Sequence, residues 1–278
     1  MLLPCSLIGL NLNAYGQDSN KIESFQFNPT SVIFSIPSPI QSMFLIHQEN
    51  VPFDSLIVRH NYMRPTVTNT VINALKLGTY LADIGYLIMM EQPVDKSMML
   101  NINLLAKPFG IHSITKNLTE QLNRLEGNKD SLLFCLSNNM RTIDATLKDR
   151  SRVHIATIIL AAGAIESSYI LTKAALSYSN QNLANRIAEQ KSTYENLKKY
   201  IKSQPESKEL KELWLLFQDI DQAFSGVKMD YQFHEPTVDT VKHITVINST
   251  TKSNISTEKL QIFYDKLNSI RRIITISN

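Results

Sequence analysis

The stretch "ALKLGTYLADIGYLIMMEQ", residues 74–92, is apolar on almost every side of the helix that it predicts. A surface helix carries one apolar stripe, whereas a helix that is apolar all round belongs in the centre of a protein. Gly78, Ala82 and Gly85 give this helix a narrow waist, where another backbone can approach closely. We therefore expect a central helix over residues 68–91.

A second segment, residues 151–173, has the same character and includes "IATIILAAGAIESSYILT". Its longest nearly pure apolar run, residues 153–165, has thirteen residues. That run is shorter than the roughly 20 apolar residues that a membrane-spanning helix needs. We therefore expect a second central helix and no transmembrane helix.

The remaining helical segments are amphipathic. Apolar residues recur every three or four positions, as on one face of a helix, in residues 114–125, 132–147, 183–201, 210–224 and 260–274. Only 8 glycines in 278 residues leave little material for the tight turns of a β-rich fold. "HITVINST", residues 243–250, alternates like a strand. The sequence predicts an all-α, multi-helix bundle around two central apolar helices, with a small C-terminal β-like segment plus helix.

This pattern divides the chain into four parts. Residues 1–16 form a signal or lipoprotein-type segment, and residues 17–37 form an extended arm. Residues 38–226 form the helical bundle domain. Residues 227–278 form a C-terminal appendage that packs on the bundle.

The first sixteen residues, "MLLPCSLIGLNLNAYG", carry the one targeting signal that the sequence shows. Residues 2–12 are mostly apolar, and Ala14, Tyr15 and Gly16 fit the small-x-small pattern of an export cleavage site, although no basic residue precedes the apolar core. Two alternatives remain open: Cys5 as a lipid-modified cysteine, and a misplaced start that has removed the true beginning. The signal predicts a cell-envelope location, periplasmic or lipid-anchored.

Composition excludes several classes of function. The net charge is only +3 and its cations are spread along the chain, so we expect no nucleic-acid partner. The closest approach to a basic cluster is Lys266, Arg271 and Arg272, which the dipole at the end of the last helix explains. Two cysteines, Cys5 and Cys135, cannot build a disulfide framework or a cysteine zinc site. The partner itself is not readable from the sequence.

The sequence contains no glycine-rich phosphate loop, no G-x-S-x-G elbow, no H-E-x-x-H and no C-x-x-C. We therefore predict no cofactor, and the missing motifs favour a protein that is not an enzyme.

Two acidic residues, Asp83 and Glu166, interrupt the central helices. A buried carboxylate must be hydrogen-bonded, paired or protonated. Helical spacing offers Tyr80 as a partner for Asp83 and Lys173 as a partner for Glu166. Buried polar contacts of this kind are the favoured interpretation.

The alternative is that Asp83, Asp144 and Glu166, with Tyr80 beside them, converge as a metal- or small-ligand-binding site. Carboxylate di-metal bundles place a Glu-x-x-His pair on two of their helices, and this sequence has no such pair. The spacing therefore disfavours a metal.

Several motifs occur in a characteristic order, among them "IPSPIQ", "ALKLGTYLADIGY", "EGNKDSLL", "AAGAIESSYILT", "RIAEQKSTYENL" and "ITVINSTTKSNISTEKL". Over residues 36–274 the chain resembles a family of uncharacterised, exported, helical proteins of the Bacteroidetes, which are often lipoprotein-like. The resemblance implies an envelope location and no assigned activity. It also places Asp83, Asp144 and Glu166 on acidic positions of the family's pattern, whereas Leu81 and Ala164 depart from it.

Together these observations predict a non-enzymatic, exported helical protein of the cell envelope with a binding or structural role. The alternative is a metal- or small-ligand-binding helical bundle that uses its buried carboxylates.

Overall fold

A computed structural model describes residues 39–58, 65–66, 69–204, 206–218, 220–225, 227–239, 244–246 and 250–276. The predicted signal segment with its candidate lipid anchor Cys5, and the predicted extended arm, lie outside the described residues.

The described chain is an all-α, multi-helix bundle, as the sequence predicts. Its helices are α1 (Pro39–Gln48), α2 (Thr70–Met89), α3 (Lys96–Ala106, followed by the short 3-10 helix Lys107–Phe109), α4 (His112–Arg124), α5 (Lys129–Asp149), α6 (Val153–Ser177), α7 (Gln181–Lys202), α8 (Lys208–Phe217), α9 (Ile220–Ala223) and α10 (Thr257–Ile276).

Between α9 and α10 the chain forms a β-ribbon. Its strands are β1 (Lys228–Gln232), β2 (Thr237–Asp239), β3 (Ile244–Val246) and β4 (Thr250–Asn254). β1 pairs antiparallel with β4, and β2 pairs antiparallel with β3. Of these strands, β4 packs against α7. The ribbon is the β-like segment that the alternation in the sequence indicates.

Six of the described helices begin at a polar residue whose side chain accepts a hydrogen bond from the first turn. Asn69 accepts from the Ile72 amide at 2.9 Å, and the same part is played for α3, α5, α7, α8 and α10 by Asp95, Asn128, Asn180, Ser207 and Ser256. Such N-caps satisfy backbone donors that the helix itself leaves without a partner. These caps fix the first residue of each of these helices, which the nearly continuous helical pattern of the sequence does not define.

The two central helices are α2 and α6, as the sequence predicts. Every residue of α2 from Val71 to Met89 is buried, and in α6 19 of 25 residues are buried. α1, α5, α8 and α10 each pack against both of them. Each apolar face of the two central helices is therefore covered by another part of the protein.

α2 and α6 cross at Gly78. A Cβ atom built at Gly78 would lie 2.1 Å from the carbonyl oxygen of Ile159 and 2.8 Å from the Cβ of Ala162. Because the nearer atom belongs to the backbone of α6, it cannot move aside as a side chain could. Only glycine allows the two backbones to approach this closely.

Helix α6 meets the length and composition of a membrane span, contrary to the expectation drawn from its thirteen-residue apolar run. It has 25 residues, and its most apolar window of 18 residues has a mean hydropathy of 1.6. Within the part of the chain that the structure describes, it is the one helix that does so, and 94% of that window is buried inside the protein. The core helix of a bundle passes the same test of length and composition.

We expect Gly78→Ala to lower the free energy of unfolding by about 3 kcal/mol, because the added methyl group overlaps the backbone of α6. Gly85→Ala is the matched control in the same helix, since its Cβ would meet Leu136 at an ordinary 3.5 Å. That control should gain about 0.5–1 kcal/mol from the better helix propensity of alanine. Urea denaturation followed by circular dichroism measures both, and equal effects of the two substitutions would contradict the tight crossing.

Candidate functional site

Glu166 forms a buried ion pair with Arg271, which joins central helix α6 to the last helix. The Nε of Arg271 lies 2.7 Å from Oε1 and 2.6 Å from Oε2 of Glu166, and its Nη2 also contacts Oε1. Glu166 is 0% exposed and Arg271 is 1% exposed. The guanidinium thus meets the carboxylate in a forked arrangement, which gives charged hydrogen bonds their greatest strength.

Arg271 makes two further contacts. Its Nη2 donates a hydrogen bond to the backbone carbonyl of Ile57. Its guanidinium carbon lies 4.0 Å from the centre of the Tyr169 ring, and that ring stacks on Tyr264 with centres 5.2 Å apart. Carboxylate, carbonyl and aromatic face together replace the water that the guanidinium loses on burial.

The charges around Arg271 keep it protonated. Burial alone would lower the pKa of Arg271, but the nearby charge of Glu166, its hydrogen bond and the charge of Asp83 raise that pKa above its ordinary value. Burial and the hydrogen bond to Tyr169 raise the pKa of Tyr264 to about 12. At neutral pH the group is therefore an arginine cation that is paired with Glu166 and packed on Tyr169, with the neutral phenol of Tyr264 stacked behind that ring.

Asp83, in central helix α2, is 0% exposed and lies within electrostatic range of this pair, because its charge contributes to the raised pKa of Arg271. Lys76, two turns earlier in the same helix, is also buried, and burial lowers its pKa. Helix α2 therefore carries an acidic and a basic side chain inside the core. Two of the predicted site residues, Asp83 and Glu166, share one electrostatic environment.

Of the other two predicted site residues, Tyr80 lies one turn before Asp83 in α2, and Asp144 lies in α5. Tyr80 is buried, and its hydroxyl accepts a long hydrogen bond of 3.5 Å from the Asn101 amide. The side chain of Asp144 is 34% exposed and pairs with Lys148 at 2.6 Å, one turn along α5. Asp144 is thus committed to a local pair near the surface of α5.

The prediction that Lys173 is the partner of Glu166 is wrong. Lys173 pairs instead with Asp54 at 2.8 Å, and the Asp54 amide donates to the hydroxyl of Tyr86 at 3.1 Å. Burial tends to raise the pKa of Asp54, but the hydrogen bond and charge of Lys173 outweigh this effect and hold it below its ordinary value. The true partner of Glu166 lies 105 residues away along the chain.

The sequence predicts that Arg271 serves only to balance the dipole at the end of the last helix. That interpretation is wrong, because Arg271 pairs with Glu166. One signal could have identified its role. It follows Leu267 by four residues and precedes Ile274 by three, so it lies within the apolar stripe of α10. A cation in a buried stripe requires a buried anion, and Glu166 is one of the few that the sequence offers.

A second buried polar network joins α6 to α7, and sequence reasoning missed it. Ser168 donates a short hydrogen bond to the Oε1 of Gln190 and accepts one from the Tyr194 hydroxyl at 3.1 Å. The hydroxyl of Thr172 donates to the carbonyl of Ser168 at 2.6 Å. Burial raises the pKa of Tyr194, so its phenol stays neutral and acts as a donor. These hydrogen bonds meet at Ser168 and link α7 to the central helix α6.

Among the described residues, no group of three or more histidine, cysteine, aspartate or glutamate side chains is arranged to hold a metal ion. Asp83, Asp144 and Glu166 therefore do not converge as a set of three metal ligands. What Asp83 and Glu166 can do chemically is stabilise one buried cation, Arg271. Comparison with models of protein families, with curated proteins and with solved structures finds no match.

We expect the single substitutions Glu166→Leu and Arg271→Met each to cost about 3–5 kcal/mol of unfolding free energy, because each leaves a buried charge without its partner. The double variant should cost at least about 2 kcal/mol less than the sum of the two. Urea denaturation of the four proteins in this cycle measures that coupling.

The pair Asp144 and Lys148 provides the matched control, since its side chains are 34% and 18% exposed. Its alanine cycle should give a coupling of no more than about 0.5 kcal/mol, as for other ion pairs in contact with water. Equal coupling in the two cycles would contradict the structural importance of the buried pair.

Proposed function

We propose that this chain is a non-enzymatic helical protein of the cell envelope with a binding or structural role. The observation that carries the proposal is that Glu166 already has a partner within the protein. Its carboxylate meets Arg271 through three close contacts, at a position with no exposure to solvent. A carboxylate held in this way is occupied by a partner within the protein and is not presented to a substrate.

The envelope location rests on the sequence. The apolar stretch at residues 2–12, followed by the small-x-small pattern of Ala14, Tyr15 and Gly16, supports export. The resemblance to exported helical proteins of the Bacteroidetes supports the same compartment. In this proposal α6 serves as a core helix, so that membrane association comes only through the N-terminal signal or a lipid on Cys5. The burial of 94% of its most apolar window supports that role.

The alternative is a bundle that binds a metal or small ligand through Asp83 and Glu166. Two features of the described residues weigh against it: Asp144 is held by Lys148, and no cluster of three ligating side chains is formed. A site built on Asp83 and Glu166 would also have to compete with Arg271 for the carboxylate oxygens of Glu166. This competition would lower the affinity of the carboxylate for any other cation, because the guanidinium already occupies it.

Metal analysis of the purified full-length protein distinguishes the two functions. We expect less than about 0.1 equivalents of any transition metal, and a melting-temperature shift below about 1 °C with 1 mM Mn²⁺, Zn²⁺ or Ca²⁺. A dissociation constant of about 10 μM would instead stabilise the fold by about 2.7 kcal/mol, which is several degrees for a chain of this size. One equivalent of metal that is lost in Asp83→Asn, and kept in the control Asp144→Asn, would overturn the proposal.

Export is tested by fractionation of cells that produce the full-length chain with a C-terminal tag. We expect the tagged protein in the envelope fraction, shortened by processing or carrying a lipid on Cys5. Cys5→Ala should abolish the lipid form and leave the processed form, which separates the two kinds of signal. Full-length, unmodified protein in the cytoplasm would contradict the envelope location.

A further inference from the structure

A short segment, residues 51–58, crosses the ends of the central helices without forming a helix or strand, and we name it the strap. Its turn is built around Asp54, whose carboxylate accepts from the Leu56 amide at 2.8 Å and whose carbonyl accepts from the Ile57 amide at 3.1 Å. The same residue holds the strap to α6 through Lys173 and to α2 through Tyr86. One end of the strap is therefore anchored on both central helices.

The other end of the strap is anchored on the last helix. The carbonyl of Ile57 accepts a hydrogen bond from Arg271, 214 residues later in the chain, and Ile57 and Val58 are buried. Arg271 holds Glu166 through its Nε and through the same Nη2 that donates to Ile57. This one side chain thus connects the strap, α6 and α10.

The apolar residues of the strap are unevenly buried: Val51, Ile57 and Val58 are buried at its two ends, whereas its middle is more exposed. The ring of Phe53 is half-buried and packs on Tyr86 with ring centres 5.6 Å apart, while Leu56 is 82% exposed. The exposed middle of the strap has few buried contacts and opens at lower cost than a core helix. The buried Ile57 end is tied to α10, because its carbonyl accepts a hydrogen bond from Arg271.

We propose that the strap and α10 form one cooperative unit, linked by Arg271, that opens and closes together over α2 and α6. When α10 leaves, the carbonyl of Ile57 loses its donor. When the strap leaves, Arg271 loses one of its acceptors, and coupling of this kind is reciprocal. Opening uncovers Tyr86, which the strap covers, and Tyr169, which Tyr264 and Arg271 of α10 cover. The unit is a built-in gate to the apolar centre of the bundle, and its operation does not depend on the proposed function.

Hydrogen exchange of the full-length protein, followed by mass spectrometry, tests the coupling from both sides. Phe53→Ala weakens the strap through its packing on Tyr86, and we expect exchange to become about tenfold faster both in residues 51–58 and in residues 265–276. Ile274→Val weakens α10 slightly, and exchange should become about threefold faster in the same two regions. Both variants remove apolar atoms only, so they leave the charges of Arg271 and Glu166 intact.

Ile114→Ala provides the matched control, because it truncates a half-buried side chain in α4, a helix that packs against α3 and α5. It should change exchange in α4 and leave both regions as in the unmodified protein. Faster exchange in the strap alone after Phe53→Ala would overturn the proposal. An equal rise through all of α2 and α6 would overturn it as well, since that would be global unfolding and not the opening of one unit.

Discussion

The close crossing of α2 and α6 is the constraint on which the rest of the structure depends. A helix that is apolar on all sides must be covered on all sides, and two such helices cover each other best when their backbones touch. Gly78 makes that contact with the carbonyl of Ile159. The amphipathic helices can then each turn one apolar face inward, because the central pair presents apolar surface in every direction.

Burying α6 at the centre also buries Glu166, and this has consequences for distant parts of the chain. An ionised carboxylate in the core is tolerated only with a partner, and the partner comes from the last helix. Arg271 in turn has donors to spare, and one of them holds the carbonyl of Ile57. A single buried charge in α6 thereby positions both α10 and the strap. Replacement of the pair by apolar residues could give a stable bundle, but it would not give the same link to the strap.

The sequence predicts where the helices lie and which of them are central, but it does not predict which side chains pair with each other. The central position of residues 68–91 and 151–173 was predictable, because apolar residues on every face have one physical explanation. The burial of Asp83 and Glu166 was predictable for the same reason. The pairing of Glu166 was not, because local spacing could only suggest Lys173, which lies two turns away on the same helix. Arg271 and Ile57 are brought to Glu166 by the fold, and no pattern along one helix records such an encounter.

The same limit applies to the polar contacts of Ser168 and to the placement of Asp144. Ser168 forms hydrogen bonds with Gln190 and Tyr194 only because α7 packs against α6. Asp144 pairs with Lys148 because both lie on the partly exposed face of α5. Gly78, by contrast, could be recognised in advance, since a glycine inside a long helix is costly unless a neighbouring backbone requires it. The sequence predicts the role of a residue when that role follows from the pattern of its own helix, and not when it depends on a contact with a distant part of the chain.

The long separation between Ile57 and Arg271 has a consequence for how the molecule is made. A ribosome releases Ile57 of the strap 214 residues before Arg271, so the carbonyl of Ile57 and the carboxylate of Glu166 have no guanidinium to bind until that later residue has been made. Contacts between such distant parts of a chain also form slowly, because the ends of a large loop must first meet. The link between the strap and α10 therefore cannot form on a growing chain until every residue between Ile57 and Arg271 has been synthesised.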